Sequence, residues 1–70
     1  MTEDELSNIE NYLNKVFRTD HFQVKKRKSI EDSCEIYLEE EFLGLIYKET
    51  DEGEEDYQFH MTILKDDLKT

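Results

Sequence analysis

The hydrophobic period of this chain changes once, near residue 20, from that of a helix to that of a strand. Leu6, Ile9, Leu13, Val16 and Phe17 recur at i, i+3, i+7, i+10 and i+11, one stripe at helical spacing. The spacing predicts a helix over residues 3–18. Thr2 followed by Glu5 is a capping-box signature, Glu3, Asp4 and Glu5 suit the positive end of the helix dipole, and Lys15 and Arg18 suit the other. Thr19-Asp20 ends the pattern. From Phe22 the period is two. Phe22 and Val24 alternate with polar residues, and Cys34, Ile36 and Leu38 alternate with Glu35, Tyr37 and Glu39. Residues 42–47 are apolar on both faces, as in a central strand, and Tyr57, Phe59, Met61 and Ile63 alternate with Gln58, His60 and Thr62. No connection is long enough for a parallel crossover. The expected fold is therefore α+β: one N-terminal helix packed on a four-stranded antiparallel sheet, residues 1–70 forming a single compact domain.

Size limits what such a fold can bury. A chain of 70 residues hides only about 60% of the surface its unfolded form exposes, so it depends on efficient packing, cross-links, metal or self-association. Cys34 is the only cysteine, which excludes an internal disulfide, and no Cys/His pair has zinc-finger spacing. Packing or self-association remains. The charge is lopsided: 19 acids against 9 bases, net −10. All the bases of residues 21–30 lie in Lys25-Lys26-Arg27-Lys28, whereas residues 31–70 hold 14 acids and 3 bases. A field of this sign keeps the chain soluble and repels nucleic acid and anionic membrane at long range. The N-terminus, Met1-Thr2-Glu3-Asp4-Glu5, resembles neither a signal nor a transit peptide, and no stretch approaches the roughly 18 apolar residues of a membrane span. A cytoplasmic protein with no membrane contact is the expectation, and a lone cysteine fits a reducing compartment.

One register stays open at this level. A two-residue turn after Leu38 places Leu43, Leu45 and Tyr47 on the face of Ile36 and Leu38; a three-residue turn with a bulge places Phe42, Gly44 and Ile46 there instead. Glu39-Glu40-Glu41 lacks the Asn-Gly chemistry of a two-residue hairpin, which favours the longer loop. Either way an apolar set remains on the opposite face.

Three segments carry a family resemblance: Glu41-Phe42-Leu43-Gly44-Leu45-Ile46-Tyr47, the Asp51-Glu52-Gly53 loop, and Tyr57-Gln58-Phe59-His60-Met61-Thr62-Ile63-Leu64 with Asp66 and Leu68. Together they resemble a family of very short alphaproteobacterial proteins classed only as a domain of unknown function. Its members read acidic-Phe-Ile-Gly-Val at the central strand and Phe-Gln-Met-aliphatic-Leu at the last. Here His60 interrupts the aromatic-to-Met spacing with a side chain suited to an outward position. The resemblance implies a small cytoplasmic bacterial protein and brings no activity, cofactor or catalytic residue with it.

Each candidate site has a structural competitor. Lys25, Lys26, Arg27 and Lys28 could neutralise phosphates, but only Phe22 is near for base stacking, and lysines on an edge strand also guard against sheet-to-sheet pairing. The acidic stretch 49–56 reads as the longest irregular segment, a solvated hairpin loop with Gly53 at positive φ. It fails as a calcium loop: with Gly53 sixth, Lys48 falls first, Thr50 third and Phe59 twelfth. Cys34, His21 and His60 fall on three separate elements, and Cys34 alternates in register with core residues, so neither a metal site nor a nucleophile is expected. Tyr37, Phe42, Leu43, Leu45 and Tyr47 form the candidate partner surface, because tyrosine suits positions with one apolar and one wet end. The expected function is a non-enzymatic protein-interaction or structural accessory module without cofactor, docking an unknown protein partner or weakly self-associating through the sheet face opposite the helix. A nucleic-acid-associated protein using residues 25–28 is the alternative.

Overall fold

The computed structural model describes residues 1–69. One helix, α1 (Glu3–Val16), precedes four strands, β1 (Phe22–Lys26), β2 (Ser33–Leu38), β3 (Glu41–Asp51) and β4 (Glu54–Met61), and a 3-10 turn closes the chain at Lys65–Leu68. The strands form an antiparallel meander in the order β1-β2-β3-β4. The α+β arrangement expected from the change of period is the one observed.

Helix α1 starts on the capping box. Glu5 N–H donates to Thr2 Oγ1 at 3.1 Å, and Thr2 N–H donates to Glu5 Oε1 at 3.0 Å. It stops two residues before the expected end, and Arg18 takes a left-handed φ of 55° where a glycine often sits. Leu6, Ile9 and Leu13 are buried against Phe22, Cys34, Ile36 and Ile46, with Val24, Leu38, Leu43 and Phe59 packed at the margin. Val16 and Phe17 continue the stripe in sequence but lie at and just past the end of α1 and remain more than half exposed, although the Phe17 ring packs 5.3 Å from that of Phe22 in β1. A helix about 10 Å across covers roughly two strands spaced about 4.8 Å apart, and α1 lies toward β1. The β4 side of the same face is left open.

The turn between β2 and β3 is shorter than its composition suggested. Leu38 pairs with Glu41, so the loop is only Glu39-Glu40, with φ of 50° and 72°. Positive φ at both central residues matches the twist of the flanking strands, and here two glutamates adopt it without Asn or Gly. A bulge does occur, but inside the ladder: Tyr37 pairs with Phe42 and Ile36 with Gly44, leaving Leu43 as the extra residue. Gly44 and Ile46 consequently share the core face with Ile36, whereas Phe42 turns to the outer face. Gly44 is required by close approach, since a Cβ there would lie 2.1 Å from the carbonyl oxygen of His60 in β4.

The acidic stretch 49–56 is also not a loop. β3 and β4 run on beyond the end of β2 as a two-stranded ribbon, pairing Glu49 with Asp56, Thr50 with Glu55 and Asp51 with Glu54. Only Glu52-Gly53 turns, at φ of 48° and 85°. Carboxylates directly across a ladder repel, so local propensity argues against this ribbon and the turn geometry and register continued from the core hold it.

Candidate interaction surfaces

The outer sheet face gathers four of the five residues expected there. Tyr37 and Phe42 meet edge-to-face with centroids 5.5 Å apart, and Tyr47 meets His60 in the same way at 5.3 Å. Leu45 lies between them on the same face by register. Leu43 does not belong to the group: as the bulged residue it packs against the core on the helix side. Lys25 Nζ sits 4.5 Å above the Tyr37 ring, and Tyr37 O–H donates to Glu35 Oε1 at 3.3 Å. Loss of solvation, followed by the Glu35 charge, pushes the Tyr37 phenol above its ordinary pKa. Tyr37 and Tyr47 are half-buried in these pairs, whereas Phe42 and His60 are exposed.

The basic run is dispersed by the pleat. Lys25 faces outward over Tyr37, whereas Lys26, opposite Cys34, points to the helix side. Arg27 Nη1 donates to Ser33 Oγ at 3.2 Å. Lys26, Arg27 and Lys28 line a shallow depression together with Glu5, Glu31 and Asp32, so carboxylates stand among the cations. Four consecutive bases thus do not make one cationic face.

Cys34, His21 and His60 are well separated by the fold. The Cys34 thiol is fully buried, and burial pushes its pKa up to about 11. His60 lies on the outer face against Tyr47, as its alternation with Phe59 and Met61 indicated. His21 precedes β1, its Nε2 3.2 Å from Asp20. Among the described residues no three His, Cys, Asp or Glu side chains cluster as metal ligands, and no helix is long and apolar enough to cross a membrane.

A second apolar surface is one the sequence pattern hid. A groove of about 530 Å³ runs between α1 and β4, with Ile9, Leu13 and Ile46 in its floor, Tyr12, Phe17 and Phe59 along it, and Glu55 and Asp56 at one end. Tyr12 is 64% exposed and Phe17 57% exposed. Beyond the groove, Met61, Ile63 and Leu64 leave most of their side chains in solvent. Phe17 was readable only as part of the core stripe, because helical spacing does not tell how far a sheet extends beneath a helix. The available hint was Tyr12 beside Leu13, which widens the apolar stripe past what one helix buries.

A polar clasp stands at the acidic end of this groove, where Glu55 and Tyr57 also line it. Glu5 Oε2 lies 2.9 Å from Lys48 Nζ and accepts a 2.9 Å hydrogen bond from Tyr57 O–H, and Lys48 Nζ is 3.7 Å from Glu55. Lys48, then the Thr2 N–H and Tyr57, pull the Glu5 carboxyl down to about 2. The same contacts raise Lys48 and Tyr57, in each case chiefly through the bond to Glu5. The first turn of the helix is thereby tied to the root of the acidic ribbon.

The family model described as a protein of unknown function, DUF3126, matches residues 5–67. The chain belongs to this family. The match runs from the first turn of α1 into the 3-10 turn, so the groove and all four strands lie within the DUF3126 domain. No curated protein and no solved structure matches the chain.

Proposed function

We propose that this DUF3126 chain is a non-enzymatic protein-interaction module that docks a partner through the groove between α1 and β4. One observation carries the reading: aromatic side chains on a small, highly charged domain stay exposed along a concave apolar surface that the chain's single long helix does not cover. Exposed apolar patches of this kind, rimmed by polar residues, are characteristic of partner surfaces. The outer face, with Tyr37, Phe42, Leu45 and Tyr47, supports the same class of function less strongly, because its rings are already packed on one another.

The test is capture of partners by the tagged chain in three forms. Tyr12→Ser with Phe17→Ser removes exposed groove aromatics, and Phe42→Ser removes the exposed ring of the outer face. A species retained by the wild type and by Phe42→Ser, and lost with the groove double variant, is the expected result. Retention by the groove variant and loss with Phe42→Ser moves the docking site to the outer face. Titration of RNA at low salt addresses the phosphate-binding alternative through residues 25–28: affinity that falls steeply with salt would replace the present reading.

A further inference from the structure

The two edges of the sheet differ in who satisfies their backbone. Glu39 N–H donates to His21 O, so Gln23 and Lys25 face β2 and the amides of Phe22 and Val24 point away from the sheet. Both are capped from the helix, Phe22 N–H by Asn14 Oδ1 at 3.0 Å and Val24 N–H by Glu10 Oε1 at 3.1 Å. At the other edge Thr62 N–H donates to Leu43 O, so by alternation Gln58 and His60 face β3, and the backbone groups of Tyr57, Phe59 and Met61 point outward. Among the described residues no side chain hydrogen-bonds to these three amides, and the strand carries no proline or lysine.

We propose that this open edge of β4 takes an extended, cationic segment of a partner protein as a fifth strand, antiparallel like every pairing already in the sheet, with the segment's alternate apolar side chains lying along the groove side. The inference rests on the interaction reading above and names the chemistry of the partner at that site. Strand addition supplies main-chain hydrogen bonds for affinity and side-chain positions for selectivity. Here the side chains of the three open residues, Tyr57, Phe59 and Met61, stand on the helix side, so an added strand extends the apolar floor that Phe59 and Ile46 begin.

Charge decides the occupant. Residues 49–56 hold six carboxylates, and Glu49 opposite Asp56 and Asp51 opposite Glu54 have no cation within ion-pair distance among the described residues. The nearest base, Lys48, is engaged by Glu5 and Glu55. Lysine or arginine on the polar face of an added strand relieves that repulsion. A second copy of this chain does not, since each copy brings a net charge of −10, and an anionic polymer is repelled outright.

The probe is a short peptide of alternating lysine and leucine, titrated into the full chain and followed by amide NMR. Its controls are the glutamate–leucine counterpart and two isomers N-methylated at either the leucines or the lysines. Expected is binding about tenfold or more tighter than the glutamate peptide at low salt, with the largest shifts at Tyr57, Phe59 and Met61. One N-methylated isomer should lose binding and the other keep it, because alternate amides face opposite edges of a strand. Equal affinity of both isomers reduces the contact to charge alone and overturns strand addition. So does a peptide-sensitive dimer in sedimentation of the chain by itself, which makes the second copy the occupant. Failure of the peptide while capture still depends on Tyr12 and Phe17 removes this inference and leaves the interaction reading; failure of both removes both.

Discussion

The β1 and β4 edges belong to one sheet of four strands but to two different physical regimes. At β1 the helix acts twice: Leu6, Ile9 and Leu13 bury the sheet face, and Glu10 and Asn14 from the same helix cap the outward amides of Val24 and Phe22. At β4 no side chain of the helix caps a backbone amide, cover is limited to Phe59 at the margin of the core, and the strand is exposed along nearly its whole length. The contrast teaches how a minimal domain divides its labour. A single helix cannot span four strands, so closing one edge fully leaves the other as a surface, and the apolar residues that do not fit beneath the helix collect there.

The sharpest way to break this division is to damage each half in turn. Ile36 lies at the centre of the covered half with no exposure, whereas Met61 on the open edge is 56% exposed. Ile36→Ala should cost about 3 kcal/mol or more, a large part of what a domain of this size has, while Met61→Ala should change stability by less than about 0.5 kcal/mol. Denaturant titration followed by circular dichroism compares them. Similar losses would mean that β4 is as integral to the core as β2. Gly44→Ala tests the seam between the halves. Its methyl group would meet the His60 carbonyl at 2.1 Å, and the overpacking should cost about 1–3 kcal/mol. The loss should be local: hydrogen exchange of Gln58 and His60 amides should accelerate while those of Gln23 and Lys25 in β1 stay protected.

How much of this contrast the sequence carries depends on which physical signal each part uses. The helix and the strands were legible because burial imposes a period, and the periods of α1 and β2 are clean. The ribbon was not, because six carboxylates in residues 49–56 resemble a solvated loop; its pairing is inherited from the register of Ile46 with Phe59. The Glu39-Glu40 turn was hidden for a related reason, since neither residue prefers the positive φ that the flanking strands impose. The fate of Leu43 depended on a bulge with no local signature. The edge caps were invisible too: Glu10 and Asn14 read as an ordinary polar helix face until the strand amides are placed beside them. Of the candidate partner surface, alternation set Tyr37 opposite Ile36, but the face taken by Phe42, Leu45 and Tyr47 hung on the register left open after Leu38; the groove was not legible, because helical spacing says nothing about how much sheet lies beneath.

The caps themselves give the next test. Glu10→Ala with Asn14→Ala leaves two outward amides of β1 without side-chain acceptors, at a cost of about 1 kcal/mol each. The β1 edge would then resemble β4, and the double variant should self-associate more at high concentration in sedimentation velocity, as uncapped edges do. Unchanged stability together with unchanged sedimentation would show that solvent serves these amides as well as the helix does.

The smallest expected effect is the one most specific in pH. Glu5 joins the capped end of α1 to Lys48 and Tyr57 on the open half, and its carboxyl is held at about 2 against an ordinary 4.5. A carboxylate whose folded pKa is depressed contributes stability above its unfolded pKa and loses it as pH falls toward the folded one. Glu5→Gln should therefore lower stability by about 1 kcal/mol near neutral pH, discounted because the side chain is partly solvated. The difference from wild type should persist down to about pH 4.5 and then close progressively toward pH 2. Thermal melts of the two proteins across that window read the difference directly. A gap that stays constant through the acid range would place the contribution of Glu5 in the neutral capping hydrogen bonds with Thr2 rather than in the charged contact that ties the helix to the ribbon.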